Sequence, residues 1–252
     1  MAEKIITKAR LEAFLKNLGI RQGSTVLLQA DMKAMPHLVG HATTLIETLI
    51  SIIGPRGCLI VPAFTCEALD PACRHSEYPY PLWQTIRFNH PGFSSRTMPA
   101  DVWENAANAF LLHTRVKRTE HPVYSFAWMG AVPYKPALES LDYPISFEHI
   151  LSEMRRKQAI NLLIGVNVHQ SIYPLLIAHD YGYDTTYIES AFVRRVRRTF
   201  EESFLASRLD EEAWDQAAEK LDITARELNG VPIYKIMQKP DLEAFENVPE
   251  TL

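Results

Sequence analysis

Residues 24–64 read STVLLQADMKAMPHLVGHATTLIETLISIIGPRGCLIVPAF. STVLLQA (24–30) and CLIVPAF (58–64) are short apolar runs of buried-strand length. Between them Leu45, Leu49, Ile52 and Ile53 fall on one face at helical spacing. Gly54-Pro55-Arg56-Gly57 is turn chemistry and closes that helix. The stretch is therefore a β-α-β unit, with the right-handed crossover that strand twist favours. Thr44 and Glu47 have capping-box spacing, which predicts a helix start about one turn after Gly40 and His41.

Working outward, Ile5, Leu11, Leu15 and Leu18 mark a first helix that stops at Gly19, a usual residue just past a helix end. Downstream, residues 65–97 lose periodicity and gather Pro, aromatics, Cys and His, as a functional or lid loop does. Val102, Ala106 and Phe110 recur every four residues and predict a helix with Pro99 in its first turn. YSFAWMG (124–130) reads as a strand, residues 146–157 as a helix capped by Ser146, and AINLLIGV (159–166) as a buried strand. Residues 173–181 read as a helix with Pro174 in its first turn, and 185–199 fit either strand or helix. Residues 210–227 read as a polar-faced helix and VPIYKIM (231–237) as a last strand. Strands alternating with helices predict an α/β protein in three layers. With no linker or repeat in the chain, residues 1–252 are expected to form one domain.

The composition bounds the function. The chain has 252 residues, 47% hydrophobic and 22% charged, with 10 Gly and 16 Pro, which excludes disordered and collagenous classes. A net charge of −4 gives no basic field for nucleic acid. No apolar run approaches the ~18 residues of a membrane span, and the opening MAEKIITKAR lacks an apolar signal core. Three cysteines, an odd and sparse set, fit a reducing compartment. A cytoplasmic protein is expected, with a homodimer as the default assembly.

Motif-borne chemistries are missing: no P-loop, GxGxxG, HExxH or GxSxG is present. Cys66, Cys73 and His75 have ligand side chains at no zinc spacing, so no metal is expected. Cys66 lacks a recognisable basic partner that would make it a nucleophile. Arg194, Arg195, Arg197 and Arg198 form a cationic cluster suited either to phosphate or to a solvated face.

The order of motifs does more. KNLGIRQGSTVLLQADMKAM (16–35), followed by VGHATTLIETLISIIGPRGCLIVPAF (39–64), resembles the opening of the aminoglycoside 3-N-acetyltransferase family. HPVYSFAWMG (121–130) is similar to that family's H-P-x-x-S-F-A-x-x-G. LLIGVNVHQSIYPLLIAH (162–179) stands where the family has L-L-L-G-V and then H-x-A-E. NGVPIYKIMQKPDLEAF (229–245) resembles its last strand and short helix. The resemblance implies the family's own α/β sandwich and acetyl-CoA as co-substrate, acylating an amine of an aminoglycoside or other small molecule. It also implies that the loop after the first strand and the next helix start receive the coenzyme. By position these are Gln29, Ala30, Asp31, Met32, Lys33, Gly40 and His41, with Ser125 and Phe126 at the thioester end. Free N–H groups and the positive helix end suit a pyrophosphate.

Departures from the family pattern are concentrated in the same places. Gln29-Ala30-Asp31 replaces His-Ser-Ser, and the carboxylate of Asp31 opposes a pyrophosphate unless Lys33 or His41 offsets it. Gly40-His41 replaces Gly-Gly. Leu176, or Leu175 in an ungapped alignment, stands where the family has its general-base His, and leucine accepts no proton. His179, about one turn beyond Leu176, and His169, just past a strand end, are the candidate replacement bases. His121 is expected to orient its own loop. Glu67, Asp70, Glu77, Asp180 and Asp184 are candidate acids for a cationic acceptor, and Tyr78, Tyr80 and Trp83 stack on a sugar ring or anchor their loop. Loss of the base leaves three readings: an N-acyltransferase with a repositioned base, a binding protein on the same fold, or a hydrolytic or condensing enzyme.

Overall fold

The computed structural model describes residues 5–74, 76–131 and 154–239. Its main sheet has seven strands in the order β3-β4-β2-β1-β5-β9-β8: β1 Thr25–Ala30, β2 Cys58–Pro62, β3 Lys117–Arg118, β4 Phe126–Gly130, β5 Ile160–Ile164, β8 Leu221–Leu228 and β9 Val231–Gln238. β1 is parallel to both β2 and β5, while β4 and β9 join the outer edges antiparallel. A separate antiparallel hairpin is made by β6 Thr185–Arg195 and β7 Arg198–Arg208.

Alternation along the central strands builds the layers. Val26 and Leu28 of β1 turn to one face with Leu59, Val61, Leu162 and Ile164. Helices α1 Lys8–Asn17, α2 His41–Ile53 and α4 Glu104–Leu111 cover it with Leu11, Leu15, Leu45, Leu49, Ala106 and Phe110. Leu27, Ile60 and Leu163 turn to the other face and meet Tyr173 and Ile177 of α5 (Tyr173–Tyr181) and Ala217 of α6 (Glu211–Ala218). Each such buried aliphatic side chain contributes about 1.5–3 kcal/mol by leaving water. The expected three-layer α/β sandwich is what forms.

Several local expectations give way to longer-range pairing. Helix α2 starts at His41, without the later capping box, because Gly40 takes φ 78 as N-cap. A Cβ on Gly40 would stand 2.1 Å from Thr44 Oγ1, so the Thr44 side chain packs over the glycine. The helix expected from about Pro99 starts only at Glu104, since Trp103 turns into the left-handed region (φ 48). Residues 65–97 contain a short helix α3, Trp83–Asn89. The helix expected over 210–227 breaks after Ala218, and 221–228 becomes the edge strand β8, paired with β9 through Leu228↔Val231. Sheet pairing overrides its helical composition. The ambiguous stretch at 185 is a strand to Arg195, turned back by Val196-Arg197. Residues 146–153 of another expected helix lie outside the described residues; 154–156 are helical.

Candidate active site

The C-terminal ends of β1, β2 and β5 lie at one edge of the sheet, together with the start of β4 through Pro62↔Phe126. Loops carrying Asp31, Phe64 and Asn167 therefore converge there, the usual place for a site on a parallel sheet. Gly165, at φ 64, lets Ala34 approach so closely that a Cβ on the glycine would stand 2.2 Å from Ala34 Cβ.

The residues expected to bind coenzyme divide by direction. Ala30 and Met32 point into the core. Gln29 is fully buried: its Nε2 donates to Gln170 O (2.8 Å), and its Oε1 accepts from Ile172 N (3.1 Å) and Asn161 Nδ2 (3.3 Å). Ser171 Oγ donates to Asn161 Oδ1 at 2.7 Å, completing a buried polar network that ties the loop after β5 to β1. The side chain of Gln29 is therefore a buried structural brace. Ser125 and Phe126 are also interior. Ser125 Oγ donates to Ala63 O (2.7 Å) and accepts from Arg118 Nε (3.0 Å), while Phe126 meets Phe64 edge-on at 5.5 Å.

Asp31, Lys33, Gly40 and His41 remain accessible. Asp31 Oδ1 accepts from Lys33 N (3.0 Å), and Lys33 Nζ leans to 3.9 Å from Glu104 Oε1. These residues line a recess of about 130 Å³ with Met32, Asp101, Trp103 and Asn105. Three carboxylates against one ammonium make the recess a better host for a cation than for a phosphate. The adjacent start of α2 differs: His41 N is spent on Leu38 O (2.9 Å), but the first turn of a helix leaves further N–H groups pointing outward. His37 and His41, on either side of that start in sequence, are exposed, so the α2 start suits an anion better than the recess does.

Of the candidate bases, His169 is exposed on the turn after β5, with its ring 4.2 Å from that of Trp214. His179 and Leu176 lie on α5, and their side chains are outside what the structure describes. Leu175 packs against the second core. His121 orients its loop as expected: Nδ1 accepts from Val123 N (3.1 Å) and Tyr124 N (2.8 Å). Burial pushes the His121 imidazole down to about 3, so it stays neutral.

The candidate acids are mostly engaged. Asp70 is held by Arg87 through bonds of 2.7 and 2.8 Å, Glu77 pairs with Arg74, and Asp184 accepts from Ser207. Glu67 is exposed, and the Asp180 side chain is not described. Trp83 Nε1 donates to Tyr78 O (2.7 Å) and Tyr80 meets the Trp83 ring edge-on, so these aromatics anchor their loop. Burial pushes the Cys66 thiol up to about 11, leaving it protonated at neutral pH. The arginine cluster sits at the tip of the β6–β7 hairpin, where Arg195 meets Glu202 at 2.5 Å and Arg194 donates to Thr97 Oγ1.

Two features escaped the sequence reading. Arg118 sends its half-buried guanidinium to Ala63 O and Thr65 Oγ1 (2.6 Å each), Met98 O and Ser125 Oγ, knitting the loops after β2 to β4. Glu189 of β6 is buried and accepts from Tyr124 Oη at 2.7 Å. A lone Arg in a basic, polar segment and a Glu in an ambiguous one carry no local signal of burial.

A profile of the aminoglycoside 3-N-acetyltransferase family matches residues 27–173. The chain is 26% identical over 168 residues to the SPbeta prophage-derived aminoglycoside N(3')-acetyltransferase-like protein YokD of Bacillus subtilis (strain 168), covering 66% of this chain and 62% of that protein. It is 28% identical over 162 residues to aminoglycoside N(3)-acetyltransferase IX of Micromonospora chalcea, covering 64% and 57%. The chain thus matches less than two thirds of the length of these relatives. Among solved structures, YokD of Bacillus subtilis superposes with a TM-score of 0.79 at 22% identity, over 92% of this chain and 93% of that one. AAC-IIIb in a binary complex with CoASH gives 0.71 at 17% identity, over 92% of each. At such identities these likenesses are of fold. With the family profile running from Leu27 in β1 to Tyr173 at the start of α5, more than half of the 252 residues, this chain belongs to the aminoglycoside 3-N-acetyltransferase family.

Proposed function

We propose that the chain transfers an acetyl group from acetyl-CoA to an amine of an aminoglycoside or other small molecule. The observation that carries this reading is the position of the family match, which contains every loop at the C-terminal edge of β1, β2 and β5. When bound, acetyl-CoA supplies an acyl group already activated as a thioester. Lys33 supplies positive charge, and the α2 start N–H donors, for its pyrophosphate. Asp31 and Glu104 in the neighbouring recess attract an ammonium group and draw a polycationic acceptor to the same edge. Expected aminoglycoside affinity therefore falls with rising salt.

The same reading takes the chain as one cytoplasmic α/β domain, with a homodimer as its default assembly. Among the described residues no helix is long and apolar enough to cross a membrane. Calorimetric titration with acetyl-CoA, followed by thiol release with a panel of amines, tests the reading. Binding with amine-dependent thiol release is expected. No heat and no thermal shift at millimolar coenzyme would refute it, and binding without turnover on any amine would leave only a coenzyme-binding protein.

A further inference from the structure

We infer that Tyr124 and Glu189 form the proton-accepting pair for amine acylation, in place of the base that this chain lacks at Leu176. This rests on the acyltransferase reading above. Glu189 lies on β6 of the hairpin and is only 9% exposed. Its Oε2 accepts from Tyr124 Oη at 2.7 Å, and the Tyr187 phenol lies beside both groups. Among the described residues no Lys or Arg forms an ion pair with it. A buried carboxylate held only by phenols is costly compared with an apolar side chain of similar size, and such groups gather where protons are moved. Burial accordingly raises the Glu189 carboxyl above the ordinary carboxylate range, which makes its anion a stronger base than an exposed glutamate.

Position supports the role. Trp103 in the acidic recess is 6.2 Å from Phe64, and Phe64 meets Tyr124 edge-on at 5.4 Å. Tyr124 thus packs, through Phe64, against the wall of the recess and remains partly exposed. Neither His121 nor His169 offers an alternative there. His121 is buried, neutral and bonded to its own loop, and His169 lies against Trp214.

In the step, the amine nitrogen bonds to the acyl carbon and the carbon–sulfur bond breaks, its electron pair leaving on sulfur. The nitrogen gives up a proton to Tyr124 Oη as the phenol's own proton passes to Glu189 Oε2. Glu189 then returns that proton through Tyr124 to the departing thiolate, so amide and thiol form with no net change in the protein. Burial and the neighbouring carboxylate push the Tyr124 phenol far up, so it relays the proton without standing as a phenolate. Tyr124 is the group in contact with the amine, and Glu189 is a positioning residue acting through it.

The test compares Glu189→Gln, Glu189→Asp and Tyr124→Phe with the wild type, using thermal midpoints to confirm folding. Expected are falls in kcat of about 10²–10⁴-fold for Glu189→Gln and Tyr124→Phe, with partial recovery in Glu189→Asp. Acetyl-CoA affinity should stay within threefold. The pH–rate profile of the wild type should carry a limb above 4.5 that Glu189→Gln abolishes. Infrared difference spectra of the ligand-free protein, wild type minus Glu189→Gln, should show a carboxyl titrating above 4.5. The groups surrounding it are the Tyr124 and Tyr187 phenols, the Cys66 and Cys73 thiols, the neutral His121 and Arg208 over the Tyr187 ring. An active wild type whose Glu189→Gln and Tyr124→Phe variants keep kcat within threefold overturns the inference alone, as does a Glu189 carboxyl titrating at or below 4.5. A wild type that neither binds acetyl-CoA nor releases thiol defeats the acyltransferase reading and takes this inference with it.

Discussion

Gln29 Oε1 lies 3.1 Å from the backbone nitrogen of Ile172, so the next-to-last residue of β1 fixes the entrance to α5 from 143 residues away. Replacing Gln29 with Ala leaves the buried Ile172 N–H and one N–H of the buried Asn161 amide without an acceptor, and takes a donor from the Gln170 carbonyl. A destabilisation of about 3 kcal/mol is expected, since each buried polar group left unpaired costs about 1–3 kcal/mol. Urea denaturation of the variant measures it. An unchanged midpoint would show that the network is dispensable.

His121 makes stability depend on pH. Its folded pKa is depressed from 6.5 to about 3, so the unfolded chain takes up a proton that the native protein refuses. Stability is therefore complete above 6.5 and falls as pH drops from 6.5 towards about 3, at up to about 1.4 kcal/mol per unit. In His121→Asn, whose Oδ1 can take over the bonds from Val123 and Tyr124, this slope disappears from melts recorded across the same range. An equal slope in both proteins would place the titration elsewhere.

Arg118 lies between β4, the end of β2 and the loop at Met98, and burial pulls its guanidinium down to about 10. Arg118→Met takes a donor from Met98 O, Thr65 Oγ1 and Ser125 Oγ, while Ala63 O keeps its bond from Ser125, and costs about 2–4 kcal/mol. Arg118→Lys recovers only part of this, because one ammonium cannot reproduce a planar fork. Calorimetric melting temperatures rank the three proteins.

Val196 turns the hairpin tip at φ 57 with 97% of its surface exposed, a conformation that a β-branched residue adopts only under strain. Val196→Gly or Val196→Asn should stabilise the protein by about 1 kcal/mol, since the folded-state strain is removed and no contact is lost. Equilibrium unfolding decides the sign. A lower stability in both variants would mean that the Val196 side chain is held by a partner.

Local pattern made much of the fold legible. The β-α-β unit from Ser24 to Phe64 and the strand at Leu162 follow from which residues repeat and how far apart. The Asn229-Gly230 pair, at φ 55 and 82, is a hairpin signal that could have corrected the helix expected over 210–227. No such signal marks the turn at Val196, and the hairpin there forms because eleven residues on each side find one another. The site was less legible. Asp31, Lys33 and His41 do reach the surface beside the recess or at the α2 start, whereas Gln29, Ser125 and Phe126 are interior braces.

The sequence by itself determined which faces of the central strands and helices leave water, because periodicity of apolar side chains is written into neighbouring residues. Its motif order also determined the family. Only the tertiary structure decided that Gln29 spends its amide on the loop before α5, that Arg118 is a clasp between loops, and that Tyr124 meets a glutamate 65 residues away. Hydrogen bonds between distant residues depend on which strands become neighbours and in what register, and that is set by the packing of the whole sheet.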